Sequence, residues 1–355
     1  MRARHALPSM LAAAVLLGGC ANIGYYMQSV QGQLEILRRE RRIDDVMAAP
    51  ETPVALRGQL AAITNIRTYA SDALGLPDND SYRRYADLQR PFVIYNVFAA
   101  PEFSLKPLEW CFAFAGCVKY RGYFSKAEAE RFAAEIARGG NDVFIGGVPA
   151  YSTLGWFADP VLNTFVNYPQ PELARLIFHE LAHQVVYVRD DTLFNESFAV
   201  TVEREGVRRW LASHGSEQDR ERYQRIVSRR RQFVDVVEAY RSKLEALYES
   251  DLPVAEKRAR KAALFTELDA AYDALRATWG LLGGHDRWFG QRPNNALLAS
   301  VSIYTKLVPA FEALLRAKSG DLPAFYAEVK ALAALPAPER SAQLAAMGAR
   351  AASAP

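Results

Sequence analysis

Residues 178–203 read FHELAHQVVYVRDDTLFNESFAVTVE. His179, Glu180 and His183 form an HExxH pattern, and Glu196 follows thirteen residues later inside NESFA. Leu176, Ile177, Leu181, Ala182, Val185 and Val186 recur at helical spacing around the pattern, which predicts an amphipathic helix over 171–189. Positions i and i+4 share one helix face about a turn apart, so two imidazoles there can reach one metal ion. Glu180 stands beside them, suited to polarise the metal's water and take its proton rather than to ligate. Asp190 and Asp191 break the helix, and a second helix over 195–213 can fold its first turn back over the histidines. Catalytic zinc takes three protein ligands and keeps one position open, which makes Glu196 the best candidate for the third. Glu203, seven residues on, shares its helix face and either supports a ligand histidine or is the ligand itself. Asn195 is expected to act beside Glu203 in that support. Two ordinary helices carrying His and Glu are the competing reading. Against it stand the buried setting of the pattern and the acidic helix that follows. Only four histidines remain after residue 20, and two of them are in this motif.

The rest of the chain sets bounds on this. Its 355 residues suit one large domain or two closely joined ones. Half the residues are hydrophobic and 23% are charged, a globular composition. The formal charge of +3 falls to +1 without residues 1–20, whose charged side chains are Arg2 and Arg4, so nothing points to nucleic acid. MRARHALPSMLAAAVLLGGC has a basic start, an apolar run and small residues before Cys20, and reads as a secretory signal. Leu17-Gly18-Gly19-Cys20 resembles a bacterial lipobox, which marks Cys20 for lipidation and predicts a membrane anchor. Ala21 follows where a retention-type Asp would stand, and by analogy this favours the periplasmic face of the outer membrane over the inner membrane. Cys111 and Cys117 then mature in an oxidising compartment and can bridge, with two buried free thiols as the alternative.

The predicted order is a signal peptide over 1–20, a helical segment over 21–80, a mixed sheet part over 81–170, a helical part over 171–335 and an Ala-rich tail over 336–355. Helical periodicity covers 26–48 and 54–74. PFVIYNVFAA, PLEWCFAFA, VKYRGYF and NDVFIGGVPAYSTLGWF read as strands of one small mixed sheet, with a helix at SKAEAERFAAEIARGG. Helices are then expected over 217–250, 254–278, 294–317 and 321–333, and the run RRRQ at 229–232 reads as a solvated helix face. The fold class is α+β and helix-rich.

HELAH followed by FNESFAVTVE resembles the gluzincin metallopeptidases, whose third zinc ligand is a glutamate on the next helix. More closely, the lipobox, CVKYRGYF, AYSTLGWFADPVLNTF, HELAHQ, FNESFA and NNALLASVSIYTKLVPAFEALL resemble the bacterial putative aminopeptidase family of predicted lipoproteins, over much of residues 17–320. The resemblance implies a zincin-like fold with a small mixed sheet before a helical half. It also implies zinc on His179, His183 and Glu196, with Glu180 as general base, and a peptide substrate. The His-to-Glu gap is shorter than in the well-known gluzincins, and no GAMEN-type strand is present. GVPAYSTLGWF is a candidate edge strand for pairing with the peptide, with Tyr151 and Ser152 lining the cleft or serving as ordinary strand residues. Tyr304 is the candidate oxyanion donor, ahead of His285; a core tyrosine is its plain alternative. Asn294 and Asn295 are a helix cap or cleft contacts, and His214 is a C-terminal cap. A different class of reading is a non-catalytic envelope lipoprotein that binds a protein partner through its helical half.

Overall fold

A computed structural model describes residues 24–112, 116–150, 152–279, 292–302 and 306–352. Cys20, Tyr151, His285 and Tyr304 lie outside the described residues. The chain is helix-rich α+β, as its periodicity predicts.

The N-terminal helical stretch is broken where one helix over 26–48 is expected. Helix α1 (24–39) stops before a two-residue strand β1 (Arg41–Arg42), and α2 (Ile43–Ala48) and α3 (Val54–Asp72) follow. β1 pairs antiparallel with β2 (Arg84–Ala86), and Glu40 pairs with Arg84 at 3.1 Å beside it.

Among the described residues the strands form three small sheets rather than one. β2 also pairs in parallel with β8 (Val161–Leu162). The largest sheet has β3 (Ile94–Pro101) between β6 (Arg121–Tyr123) and β7 (Asn141–Val148), and β3 and β7 run antiparallel in register from Ile94↔Val148 to Pro101↔Asn141. β4 (Trp110–Phe112) and β5 (Gly116–Val118) form a hairpin closed by the Cys111–Cys117 disulfide. Helix α4 (Lys126–Arg138) starts at Ser125, whose hydroxyl accepts the Glu128 amide, and packs Ala129 and Ala133 on the large sheet. The candidate edge strand GVPAYSTLGWF (147–157) is extended at Gly147 and Val148, the end of β7, and its described residues beyond them are not strand. Pro149 cannot donate to a ladder, and Leu154 and Gly155 take positive φ, so 152–157 turns instead.

The helical part contains α5 (Gln170–His183), α6 (Thr192–His214), α7 (Glu217–Glu249), α8 (Val254–Trp279), α9 (Asn295–Ser302), α10 (Val308–Ala317), α11 (Leu322–Ala334) and α12 (Ala337–Ala352). The single helix expected over 294–317 is split, with Pro309 in the first turn of α10. The Ala-rich tail is helical, and its Leu344 is buried.

Helix α5 is apolar almost all round. Leu173, Ile177 and Leu181 pack in the main core with Leu60, Ile63 and Ile66 of α3 and Phe194, Phe198 and Val202 of α6. The close crossing of α5 and α6 rests on Gly206, where a Cβ would lie 2.7 Å from the Phe178 ring. A second cluster joins Phe233, Val237 and Leu244 of α7 to Leu268 of α8 and Leu298 of α9. The motif helix is therefore held from every side except one polar stripe.

Arg67 of α3 is the chief polar element of this core. It is 2% exposed and donates to the carbonyls of Ser81 (2.8 Å), Pro77 (2.7 Å) and Asn79 (3.0 Å) and to the Ser71 hydroxyl (2.6 Å). It thereby shapes the 77–81 turn, which in turn reaches the end of α5 through Asn79 Nδ2 and Gln184 Oε1 at 2.7 Å. Replacing Arg67 by alanine strands several buried carbonyls, each worth about 1–3 kcal/mol. The expected loss for Arg67→Ala is about 3 kcal/mol or more in urea unfolding, and a loss below about 1 kcal/mol would contradict this role.

Candidate metal centre

The polar stripe of α5 carries Glu172, Arg175, His179 and His183, spaced three, four and four residues apart. That spacing keeps them on one face, and the face looks onto α6. Helix α5 ends at His183, six residues earlier than expected. The chain then crosses 184–190 to Asp191, whose carboxylate caps α6 by accepting the Phe194 amide at 3.1 Å. Asp190 takes φ 67°, a conformation Asp tolerates better than most residues. Asn195 fixes the crossing: its side chain accepts from Val188 N and donates to Val188 O, both at 2.8 Å. Arg340 of α12, 4% exposed, reaches back to Asp191 at 2.9 and 3.0 Å. The Ala-rich tail thus secures the start of α6.

This connection brings three predicted ligands together. His179 Nε2 and His183 Nε2 are 3.3 Å apart. Glu196 Oε2 is 3.3 Å from the first and 3.8 Å from the second. All three side chains are nearly or fully buried, and donor atoms of the three lie within 4.8 Å of one another. Glu203 lies on the other side of the His179 ring, with Oε2 2.9 Å from Nδ1. Glu196 thus faces the convergent nitrogens, and Glu203 meets the other nitrogen of the His179 ring.

Glu203 is itself held. Arg175 bridges it at 3.0 Å and Glu172 at 2.9 Å, and Arg230 of α7 meets Glu172 at 2.6 Å. The run at 229–232 is therefore not simply solvated. Arg230 is the outer link of a chain of charges ending on His179. The i, i+4 spacing of Arg175 and His179 is a signal in the sequence that could have revealed Arg175.

The electrostatics follow from burial and these partners. Burial alone would lower His179, but its bonds to Glu196 and Glu203 push it up to about 10. Burial takes His183 down to about 4. Burial opposes ionisation of Glu203, yet Arg175 and the His179 bond hold it down at about 2. Burial likewise opposes Glu196, and the two histidines outweigh it and keep the carboxylate below its ordinary range. Burial pushes Glu180 up to about 7; His179 pulls it down, while Glu196 and Asp159 push it further up.

These donors fit a tetrahedral cation. With the Nδ1 proton directed to Glu203, His179 Nε2 presents a lone pair to a nitrogen and a carboxylate oxygen. Three such acceptors converging out of water require a positive charge among them. For metal–nitrogen bonds of about 2.0–2.1 Å, the edge of a tetrahedron is about 3.3 Å, matching the observed nitrogen separation. His183 Nδ1 has no hydrogen-bond partner among the described residues.

Other predicted residues play different parts. Ser152 accepts the Leu154 amide in its turn, and Thr153 N donates to both Asp159 oxygens at 3.2 and 3.1 Å. Asp159 is 4% exposed and sits near enough to Glu180 to raise its pKa. Asn294 caps α9 through the Leu297 amide, and Asn295 is buried against the carbonyls of Pro101 and Glu102, so both are structural. His214 stacks on Trp210 at 3.9 Å in the last turn of α6. Tyr120, not singled out in the sequence, packs on Phe98 and lies in the field of Glu196 and Glu180; burial chiefly, and then these charges, hold its hydroxyl far above the ordinary range.

A family model described as putative aminopeptidase matches residues 24–344. No curated protein and no solved structure matches the chain.

In metal-free protein the His179 contribution to stability is complete below pH about 6.5 and is lost as pH rises through about 10, because its folded pKa is raised. Glu203→Gln removes one of the two carboxylates responsible. An NMR titration of the metal-free variant should show a lower His179 pKa than wild type and a flatter alkaline loss of stability. An unchanged titration would sink the clamp.

Proposed function

The chain belongs to the putative aminopeptidase family, and from that membership we propose that it is a zinc-dependent peptidase of zincin-like, gluzincin type, acting as an aminopeptidase. The observation that carries the reading is the convergence of His179, His183 and Glu196 on one buried point, with Glu180 next to it in the chain. His179, His183 and Glu196 would hold the ion. Bound zinc supplies Lewis acidity, polarising a carbonyl and lowering the pKa of water to about 7.

The chain's own groups supply the rest. Glu203 fixes the tautomer and orientation of His179 by accepting from Nδ1, and Arg175 keeps Glu203 ionised. A Glu180 oxygen takes a proton from the attacking water and returns one to the departing amine nitrogen. A carboxyl near neutrality is suited to both transfers. Tyr120 keeps its proton in the field of Glu196 and Glu180, and in this reading it takes the oxyanion-donor role that the sequence suggested for Tyr304. Among the described residues no helix is long and apolar enough to cross a membrane. In this reading, lipidated Cys20 anchors the enzyme to the outer membrane, facing the periplasm.

Glu180→Gln is expected to retain zinc at wild-type stoichiometry in metal analysis and to lose turnover of a peptide mixture by about 10²–10⁴-fold. Retained turnover would overturn the mechanism. Mass spectrometry of the wild-type products distinguishes loss of single N-terminal residues from internal cleavage; internal cleavage alone would refute the aminopeptidase assignment. Glu203→Ala should weaken zinc binding about 10–100-fold in chelator competition, and a smaller change would deny Glu203 its orienting role.

A further inference from the structure

A cleft of about 450 Å³ opens between the two halves of the chain. The loop after β3 and Lys119, between β5 and β6, form one side; α6, α7 and Lys306 form the other. Its charged lining is Lys106, Lys119, Lys306 and Arg241 against Glu245 and Glu249. Arg241 is committed to Glu245, at 3.3 Å, and to Glu238. Lys106, Lys119 and Lys306 have no carboxylate within ion-pair reach among the described residues. With Arg241 these lysines outnumber Glu245 and Glu249, so the lining carries a net positive charge that favours an entering anion.

Three independent threads tie this cleft to the donor cluster. Leu193 lines it and lies one helical turn before Glu196, about 4.5 Å along the axis. Lys119 precedes Tyr120, whose hydroxyl lies in the field of Glu196 and Glu180. Lys306 precedes Leu307, whose amide donates to Ser197 Oγ at 3.3 Å, and Ser197 follows Glu196. These links set the cleft next to the donor cluster, and an extended peptide, advancing about 3.3 Å per residue, can run from one to the other.

We propose that this cleft is a carboxylate-binding subsite, which takes the anionic end of a short peptide a few residues beyond the scissile bond. The lysines supply point charges without the fork of an arginine. Such a site reads negative charge more than shape. The carboxylate comes either from the peptide's C-terminus or from an acidic side chain near it. The inference rests on the peptidase reading for its substrate, but not for its test.

The test is calorimetric binding to metal-free mature chain, which cannot turn over by the proposed route. The probes are tetra-alanine, its C-terminal amide, and an amide carrying Glu at the third position. The free acid should bind about tenfold tighter than the plain amide. Lys119→Glu with Lys306→Glu should erase the difference, and Lys119→Arg should preserve it. Tight binding of the Glu-containing amide alone identifies a side-chain carboxylate as the ligand. Equal affinity for all three probes in wild type overturns the subsite, even where the zinc-loaded protein cleaves peptides. A carboxylate preference without cleavage under any metal would instead remove the peptidase reading and leave the subsite standing.

Discussion

The structure turns on the His179 imidazole, caught between two carboxylates on the next helix. Glu196 meets one ring nitrogen and Glu203 the other. Burying two acids and two imidazoles costs several kcal/mol per charge unless each is paired. The arrangement is stable only while positive charge sits among the donors, a proton in metal-free protein or a cation in the proposed enzyme. Everything around the cluster can be read as a means of keeping α5 and α6 in the rotation that this pairing needs.

Those means are polar and come from distant parts of the chain. Arg175 and Arg230 fix Glu203 and Glu172 along one edge. Asn195 and Arg340 set the connection where α6 begins. At the other end of α5, Gln184 is tied to Asn79 and Ser81, in the turn that Arg67 holds. The disulfide hairpin joins in from the sheet part, since Cys117 N donates to Asp190 in the same connection. Apart from the Arg175–Glu172 pair within α5, each contact crosses the boundary between elements, so the site is not set by a single helix.

The apolar packing does a different task. It makes α5 nearly featureless except along its polar stripe, so the donors have no alternative face to occupy. Gly206 lets the two helices approach at Phe178, and that closeness allows glutamate side chains on α6 to reach across. On the sheet side, the loops after β3 and β5 stay open and basic, leaving a polar cleft next to an apolar core.

By itself, the sequence determined what periodicity and short spacing control. Those are the helix-rich α+β class, the motif helix, the acid-bearing helix after it, and the long pair α7 and α8 that matched 217–250 and 254–278 within a residue. His179 and His183 share a face by helix geometry alone, and Glu196 and Glu203 share another for the same reason. Only the tertiary structure decided which acid faces which ring nitrogen, because that depends on the rotation and separation of two helices, not on either repeat. The same limit hid Arg230, Arg340 and Asp159, which reach the site from segments far off in sequence. It also led the sequence to extend a strand through 147–157, where β7 ends at Val148 and Leu154 and Gly155 take positive φ in the folded chain.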